Sequence, residues 1–78
     1  MLKAEIGKTA GEMWKHLGKN GKTSLSAIAL EMKLKPEIAT MAMGWLAREN
    51  KVNVNREGKS IAITLSDTEA KIYKQTQK

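Results

Sequence analysis

The chain has 78 residues, and its 14 Lys and Arg against 8 Asp and Glu give a formal net charge of +6 at neutral pH. It has no cysteine, one histidine and one aspartate, which excludes disulfide bonds and thiolate metal sites and argues against a His-based metal centre or a catalytic triad. No apolar run approaches the ~20 residues of a membrane span, and the N-terminus lacks the apolar core of a signal peptide. We therefore expect one soluble, cytoplasmic domain over residues 1–78 that is not an enzyme, needs no cofactor and, by its charge, favours an acidic partner such as nucleic acid.

An amphipathic helix is predicted over residues 4–18. Its apolar stripe falls within about 100° of arc and consists of Ile6, Ala10, Met13, Trp14 and Leu17. We expect Gly18 and Gly21 to end the helix, because glycine adopts the left-handed cap conformation without strain. Gly7 and Gly11 lower the helix propensity and therefore predict the close approach of another element.

A helix-turn-helix pattern follows a brief strand predicted within residues 22–25. Ser24 or Ser26 is expected to cap a second helix, because a serine hydroxyl accepts a hydrogen bond from a free backbone N–H there. Pro36 breaks the pattern and suits the first turn of a third helix, which we predict from Pro36 to about Glu49. Two short helices joined by a tight break are typical of a helix-turn-helix.

The third helix is predicted to face inward with Ile38, Met41, Ala42, Trp45 and, at its edge, Leu46. Residues 39–47 carry no charge, and the side opposite the predicted stripe presents Thr40, Met43, Gly44 and Ala47. A helix that is apolar nearly all round is usually buried all round, so this segment is unusual for a helix that reads DNA bases.

The hydrophobic period then changes from helical to alternating. Val52 and Val54 alternate with asparagines, and residues 61–65 alternate again, with residues 56–59 between them, so we predict a β-hairpin with a basic tip. Residues 66–69 fit a capping box with serine at the N-cap, which predicts a short last helix through Tyr73. We expect Tyr73 to dock that helix on the core, and residues 75–78 to fray.

The order of these elements is that of the winged helix-turn-helix, a mostly helical α+β fold with a three-helix bundle, a two-stranded wing and a short C-terminal helix. The chain also resembles a small bacterial family of winged helix-turn-helix proteins of unassigned function, in the hairpin and in residues 6–14 and 41–49. The resemblance implies the fold. In the wider class the third helix mostly enters the major groove of DNA and the wing lies beside a phosphate strand, while a minority of members bind proteins.

One hypothesis for function is a transcription-regulator-like domain that contacts DNA mainly through backbone phosphates. The contacts would come from Ser26 (or Ser24), Lys35, Thr40, Arg56 and Lys59. The positive charge lies on the first helix, the hairpin and the tail, whereas residues 25–50 carry three cations and three carboxylates. Affinity should therefore fall steeply with salt and show little sequence preference. The two basic residues of the hairpin fit an ordinary solubilising role equally well.

The alternative is a protein-interaction or dimerisation module that does not bind DNA. Its interface would be the uncharged outer face of the third helix, formed by Thr40, Met43, Gly44 and Ala47. Small residues allow a partner to approach closely, and methionine is an adaptable anchor.

The remaining candidate residues are better explained by the fold. Trp14 and Trp45 lie on predicted core stripes, which favours packing over base stacking. His16 lies beside the exposed face of the first helix, and we expect it to be a solvated surface residue.

Overall fold

Four helices and three strands follow one another along residues 2–76, the part of the chain that the computed structural model describes. In chain order they are α1 (Leu2–Asn20), β1 (Thr23–Ser24), α2 (Leu25–Glu31), α3 (Pro36–Arg48), β2 (Val52–Glu57), β3 (Ser60–Leu65) and α4 (Asp67–Thr76). The strands form one antiparallel sheet in the order β1-β3-β2. The structure thus confirms the winged-helix arrangement. Gln75 and Thr76, for which fraying is predicted, belong to α4, whereas residues 77 and 78 lie outside the described residues.

The helix α1 continues past Gly18 to Asn20 and is terminated by Gly21. The N–H of Gly21 donates to the carbonyl of Leu17 at 2.8 Å, and its φ of +76° is a left-handed conformation that glycine adopts freely. Gly18 instead lies inside the helix, where a Cβ atom would come within 2.3 Å of the Tyr73 ring. The prediction of a close approach at Gly7 and Gly11 was wrong at Gly11, where a Cβ atom would meet nothing within 4 Å, and at Gly7 it would meet only the Trp45 ring at 3.8 Å. The tight approach lies at Gly18 instead.

The turn between α2 and α3 is short and closed by backbone hydrogen bonds. Ser24 is the N-cap of α2, and its Oγ accepts from the Ala27 N–H at 3.1 Å, which decides between the two serines considered. After α2, Lys33 adopts a left-handed conformation at φ +56°, and the N–H of Leu34 donates to the Ala29 carbonyl at 2.8 Å. Pro36 then begins α3, as predicted.

The wing consists of β2, β3 and the turn between them. Glu57 pairs with Ser60 across a two-residue turn, in which Gly58 has a φ of +62°, the conformation that a type II′ turn requires at its first central residue. The strands therefore continue to the tip of the hairpin, further than the alternating pattern alone predicts. At the other end Val52 pairs with Leu65, and both are buried in the core.

The last helix docks on α1 through two aromatic rings. Tyr73 packs edge-on against Trp14, with ring centroids 5.5 Å apart, and the Trp14 Nε1–H donates to Glu69 Oε1 at 2.8 Å. Ser66 Oγ accepts from the Glu69 N–H at 3.4 Å, so half of the predicted capping box is present. The Glu69 carboxylate accepts from the Trp14 indole and not from the Ser66 N–H. The Ser66 N–H donates to the Lys51 carbonyl.

The buried face of α3 is rotated relative to the predicted stripe. Ala39, Ala42 and Leu46 are buried, whereas Met41 is 43% exposed. The prediction that Met41 faces inward was wrong, because a helix that is apolar on most sides gives no sharp phase and the small side chain of Ala39 allows closer packing. The buried apolar core as a whole comprises Ala10, Met13, Leu17, Ile28, Ala39, Ala42, Leu46, Val52, Ile63 and Leu65.

Candidate nucleic-acid interface

Five of the exposed residues of α3 form what we call the α3 face: Glu37, Thr40, Met41, Gly44 and Arg48. Their spacing of three and four residues places them on one side of the helix. The face holds one carboxylate in the first turn and one guanidinium in the last, so it has no net charge. Thr40 Oγ1 donates to the Pro36 carbonyl at 2.8 Å, which engages the hydroxyl proton within the helix.

A groove of about 330 Å³ lies between α2 and α3 beside this face. Its lining is mostly apolar and consists of Leu25, Ser26, Ala29, Leu30, Leu34, Pro36, Ala39 and Thr40. Two of the predicted contact residues, Ser26 and Thr40, are thus brought to one groove. Leu30, at the end of α2, is 80% exposed.

Lys35 occupies the N-cap position of α3, outside this groove. Its side chain is exposed and makes no capping hydrogen bond. The start of α3 therefore combines a solvent-exposed ammonium group with backbone N–H groups that no side chain caps. Such a helix start favours an anion electrostatically.

Arg56 and Lys59 are exposed at the tip of the wing. Arg56 pairs with Ile61 and is two residues beyond Val54, which pairs with the buried Ile63. Side chains two residues apart on a strand share one face, so the Arg56 side chain lies on the sheet face that packs against the helices. Glu57 points to the other face, where its carboxylate forms an ion pair with Lys22. Within residues 2–76, Arg56 and Lys59 make no ion pair, which leaves both charges available to a partner.

The alternative interface is only partly exposed. Thr40 and Gly44 are open to solvent, whereas Met43 and Ala47 are half-buried and pack against the core. Two exposed residues of the α3 face, Met41 and Arg48, are not among the contact residues that the sequence predicts. The spacing of the charged residues Glu37 and Arg48, three helical turns apart, is the signal that marks the solvent side of α3.

His16 differs from its prediction. Its side chain is only 20% exposed, and Nε2 lies 2.7 Å from Oε1 of Glu31. The residue therefore links α1 to the end of α2. Trp14 and Trp45 are half-buried and contact the core, in agreement with the packing role predicted for them.

Across residues 2–76, no three His, Asp or Glu side chains are grouped to hold a metal ion. Nor is any helix in this range long and apolar enough to cross a membrane.

The helix-turn-helix of α2 and α3, followed by the β2–β3 wing, places the chain in the class of winged helix-turn-helix proteins. Residues 1–65 match the family model described as "Winged helix-turn-helix domain (DUF2582)", and the chain belongs to this family. An uncharacterized protein of the archaeon Methanocaldococcus jannaschii, MJ1608, is 44% identical over 66 residues, which cover 78% of this chain and 90% of that protein. The predicted resemblance to a winged-helix family is confirmed, and relatives of the chain are not confined to bacteria.

Solved structures show the same fold. The solution NMR structure of protein BT2368 from Bacteroides thetaiotaomicron is 35% identical, with a TM-score of 0.75, and the match covers 87% of this chain and 83% of that one. A mutant of Lactococcus lactis ZitR has a TM-score of 0.79 at 17% identity over 88% of this chain, which spans about half (49%) of the ZitR chain. HlyU from Vibrio vulnificus, described as a transcriptional regulator, has a TM-score of 0.74 at 20% identity, covering 95% and 83% of the two chains.

Proposed function

We propose that this protein is a DNA-binding, transcription-regulator-like domain that holds duplex DNA mainly through its phosphates. The observation that carries the proposal is that exposed cations lie at the start of α3 and at the wing tip, whereas the α3 face itself has no net charge. Lys35 begins α3, while Arg56 and Lys59 form the wing tip without ion-pair partners among residues 2–76. Phosphate contacts position a protein on the duplex but do not read its sequence. Because the α3 face has no net charge, we expect only modest discrimination between DNA sequences.

Two further features support this proposal. Ser26 and Thr40 border one groove, so a phosphate strand that passes the start of α2 would also meet the side of α3. The fold is shared with the transcriptional regulator HlyU of Vibrio vulnificus. In this role the chain needs no catalytic residue, and we assign none. A cytoplasmic location remains a prediction.

The proposal is tested by NMR titration of the protein with a generic duplex at two salt concentrations. We expect amide shifts at Lys35, Thr40, Arg56 and Lys59 that weaken as salt rises, because phosphate binding releases counterions. The amide of Lys71, on the exposed side of α4, is the internal control, and its chemical shift should not change. An absence of shifts at low salt would rule out DNA binding.

A protein-binding role remains the second candidate, on one specific observation. Leu30 is 80% exposed at the end of α2, beside a groove whose walls are mostly apolar. A second copy of the chain or another protein could bury this side chain. Leu30→Glu tests the groove better than a change at the half-buried Met43. Self-association in sedimentation that Leu30→Glu abolishes would support this candidate. If the wild-type protein is a monomer at all concentrations, dimerisation through this groove is ruled out.

A further inference from the structure

The α3 face offers few hydrogen-bond donors to a nucleic acid. From Glu37 to Gly44 it presents a carboxylate, a threonine whose hydroxyl proton is bound to the Pro36 carbonyl, a methionine and a glycine. The guanidinium of Arg48 lies one helical turn beyond Gly44. The central part of the face therefore combines acceptor atoms with apolar groups.

Space for a small apolar group exists beside Met41. A Cβ atom added to Gly44 would meet nothing within 4 Å. An open hollow of about 440 Å³ adjoins both residues and is also lined by Ile6, Trp45, Arg48 and Glu49. With 43% of its surface exposed, Met41 is the largest apolar side chain on the α3 face. A methyl group held against it would lose contact with water.

These properties match one kind of base pair. In the major groove an A·T pair presents the thymine methyl group and the adenine N6 amino donor, whereas a G·C pair presents two guanine acceptors, the cytosine N4 amino donor and no methyl group. The carboxylate of Glu37 can accept from adenine N6 and equally from cytosine N4, so the thymine methyl group is what distinguishes the two base pairs at this face.

We infer that the α3 face selects A·T-rich duplex DNA by packing Met41 and the Thr40 methyl group against thymine methyl groups. This inference rests on the proposed function and adds to it the class of DNA sequence that is preferred. The sequence-based prediction placed Met43 on the outer face of α3 and Met41 inside, whereas Met41 is the exposed methionine of this helix. The preference is moderate, since each methyl group in contact changes the affinity by about fourfold.

Replacement of thymine by deoxyuridine tests the inference, because it removes only the C5 methyl group. Four duplexes of equal length are compared by fluorescence anisotropy at one salt concentration: A·T-rich, the same with deoxyuridine, G·C-rich, and the last with 5-methylcytosine. We expect the A·T-rich duplex to bind most tightly and deoxyuridine to weaken binding about fourfold or more. We expect 5-methylcytosine to strengthen binding of the G·C-rich duplex.

Two variants assign the effect to Met41. Met41→Ala should bind the thymine duplex more weakly and lose most of the difference between thymine and deoxyuridine. Ile72→Ala is the matched control, because Ile72 is 39% exposed on α4, and it should keep the full difference. Circular dichroism establishes that both variants are folded.

The outcomes separate the inference from the proposed function. Equal affinity for thymine and deoxyuridine duplexes, or tighter binding of the unmethylated G·C-rich duplex, would overturn the A·T preference and leave DNA binding intact. The same difference retained in Met41→Ala would overturn the role of Met41. No binding to any of the four duplexes at low salt would overturn the proposed function itself.

Discussion

Gly18 and Gly11 lie on the same helix, but their surroundings are opposite. A Cβ atom at Gly18 would overlap the Tyr73 ring at 2.3–2.6 Å, whereas one at Gly11 would meet nothing within 4 Å. The first glycine allows α4 to pack against α1. No packing neighbour explains the second glycine, Gly11, so its main effect on stability is the lower helix propensity of glycine.

Substitution of each glycine by alanine should therefore change stability in opposite directions. Gly11→Ala should raise the free energy of unfolding by about 0.5–1 kcal/mol, because alanine favours the helix. Gly18→Ala should lower it by about 1–2 kcal/mol, because displacement of the Tyr73 ring costs more than the gain in propensity. Urea denaturation measures both, and a stabilised Gly18→Ala would show that α4 does not hold Tyr73 where we describe it.

The hydrogen bond from Trp14 to Glu69 is the polar part of the same contact. Glu69→Ala removes the acceptor of the half-buried indole and should lower the free energy of unfolding by about 1–2 kcal/mol. Glu69→Gln keeps an acceptor at the same place and should cost less. Thermal unfolding followed by tryptophan fluorescence checks both variants, and equal losses would argue against a role for this hydrogen bond.

Among the elements, α2 depends most on its cap, because it has only seven residues. Ser24→Ala should lower the free energy of unfolding by about 1 kcal/mol, since the Ala27 N–H loses its acceptor. Ser26→Ala, two residues on, is the matched control and should leave stability nearly unchanged. Equal losses in the two variants, measured in urea, would mean that the cap does not stabilise α2.

The elements themselves follow from sequence signals of defined physical origin. Pro36 fixes the start of α3, Gly58 marks the hairpin turn, and Ser66 precedes α4. The rotation of α3 could not be predicted in the same way. Residues 39–47 are uncharged, so hydrophobicity favours burial on nearly every side, and the contacts of Ala39 and Ala42 with the core decide which side is buried. For the same reason the sequence analysis placed Met43 on the exposed face of α3 and Met41 inside, whereas the structure exposes Met41 and half-buries Met43.

At the scale of the whole molecule, the distribution of charge matters more than its total. The net charge of +6 is absent from residues 25–50, which contain the helix-turn-helix. The cations of the proposed site are those of the wing tip and Lys35, which is one of three cations balanced by three carboxylates in residues 25–50. Cations elsewhere, such as Lys71 and Lys74 on α4, lie on a helix that packs against α1 and β3. DNA binding at the proposed site should therefore depend on the position of a cation and not merely on its charge.

The salt dependence of duplex binding in two charge-matched variants tests this claim most directly. Arg56→Ala/Lys59→Ala and Lys71→Ala/Lys74→Ala each remove two positive charges, and neither changes the core. We predict that the wing variant binds duplex DNA more weakly and that its slope of log K against log salt is smaller by about 2, while the α4 variant keeps the wild-type slope. Equal slopes in the two variants, or an unchanged slope in the wing variant, would contradict the account.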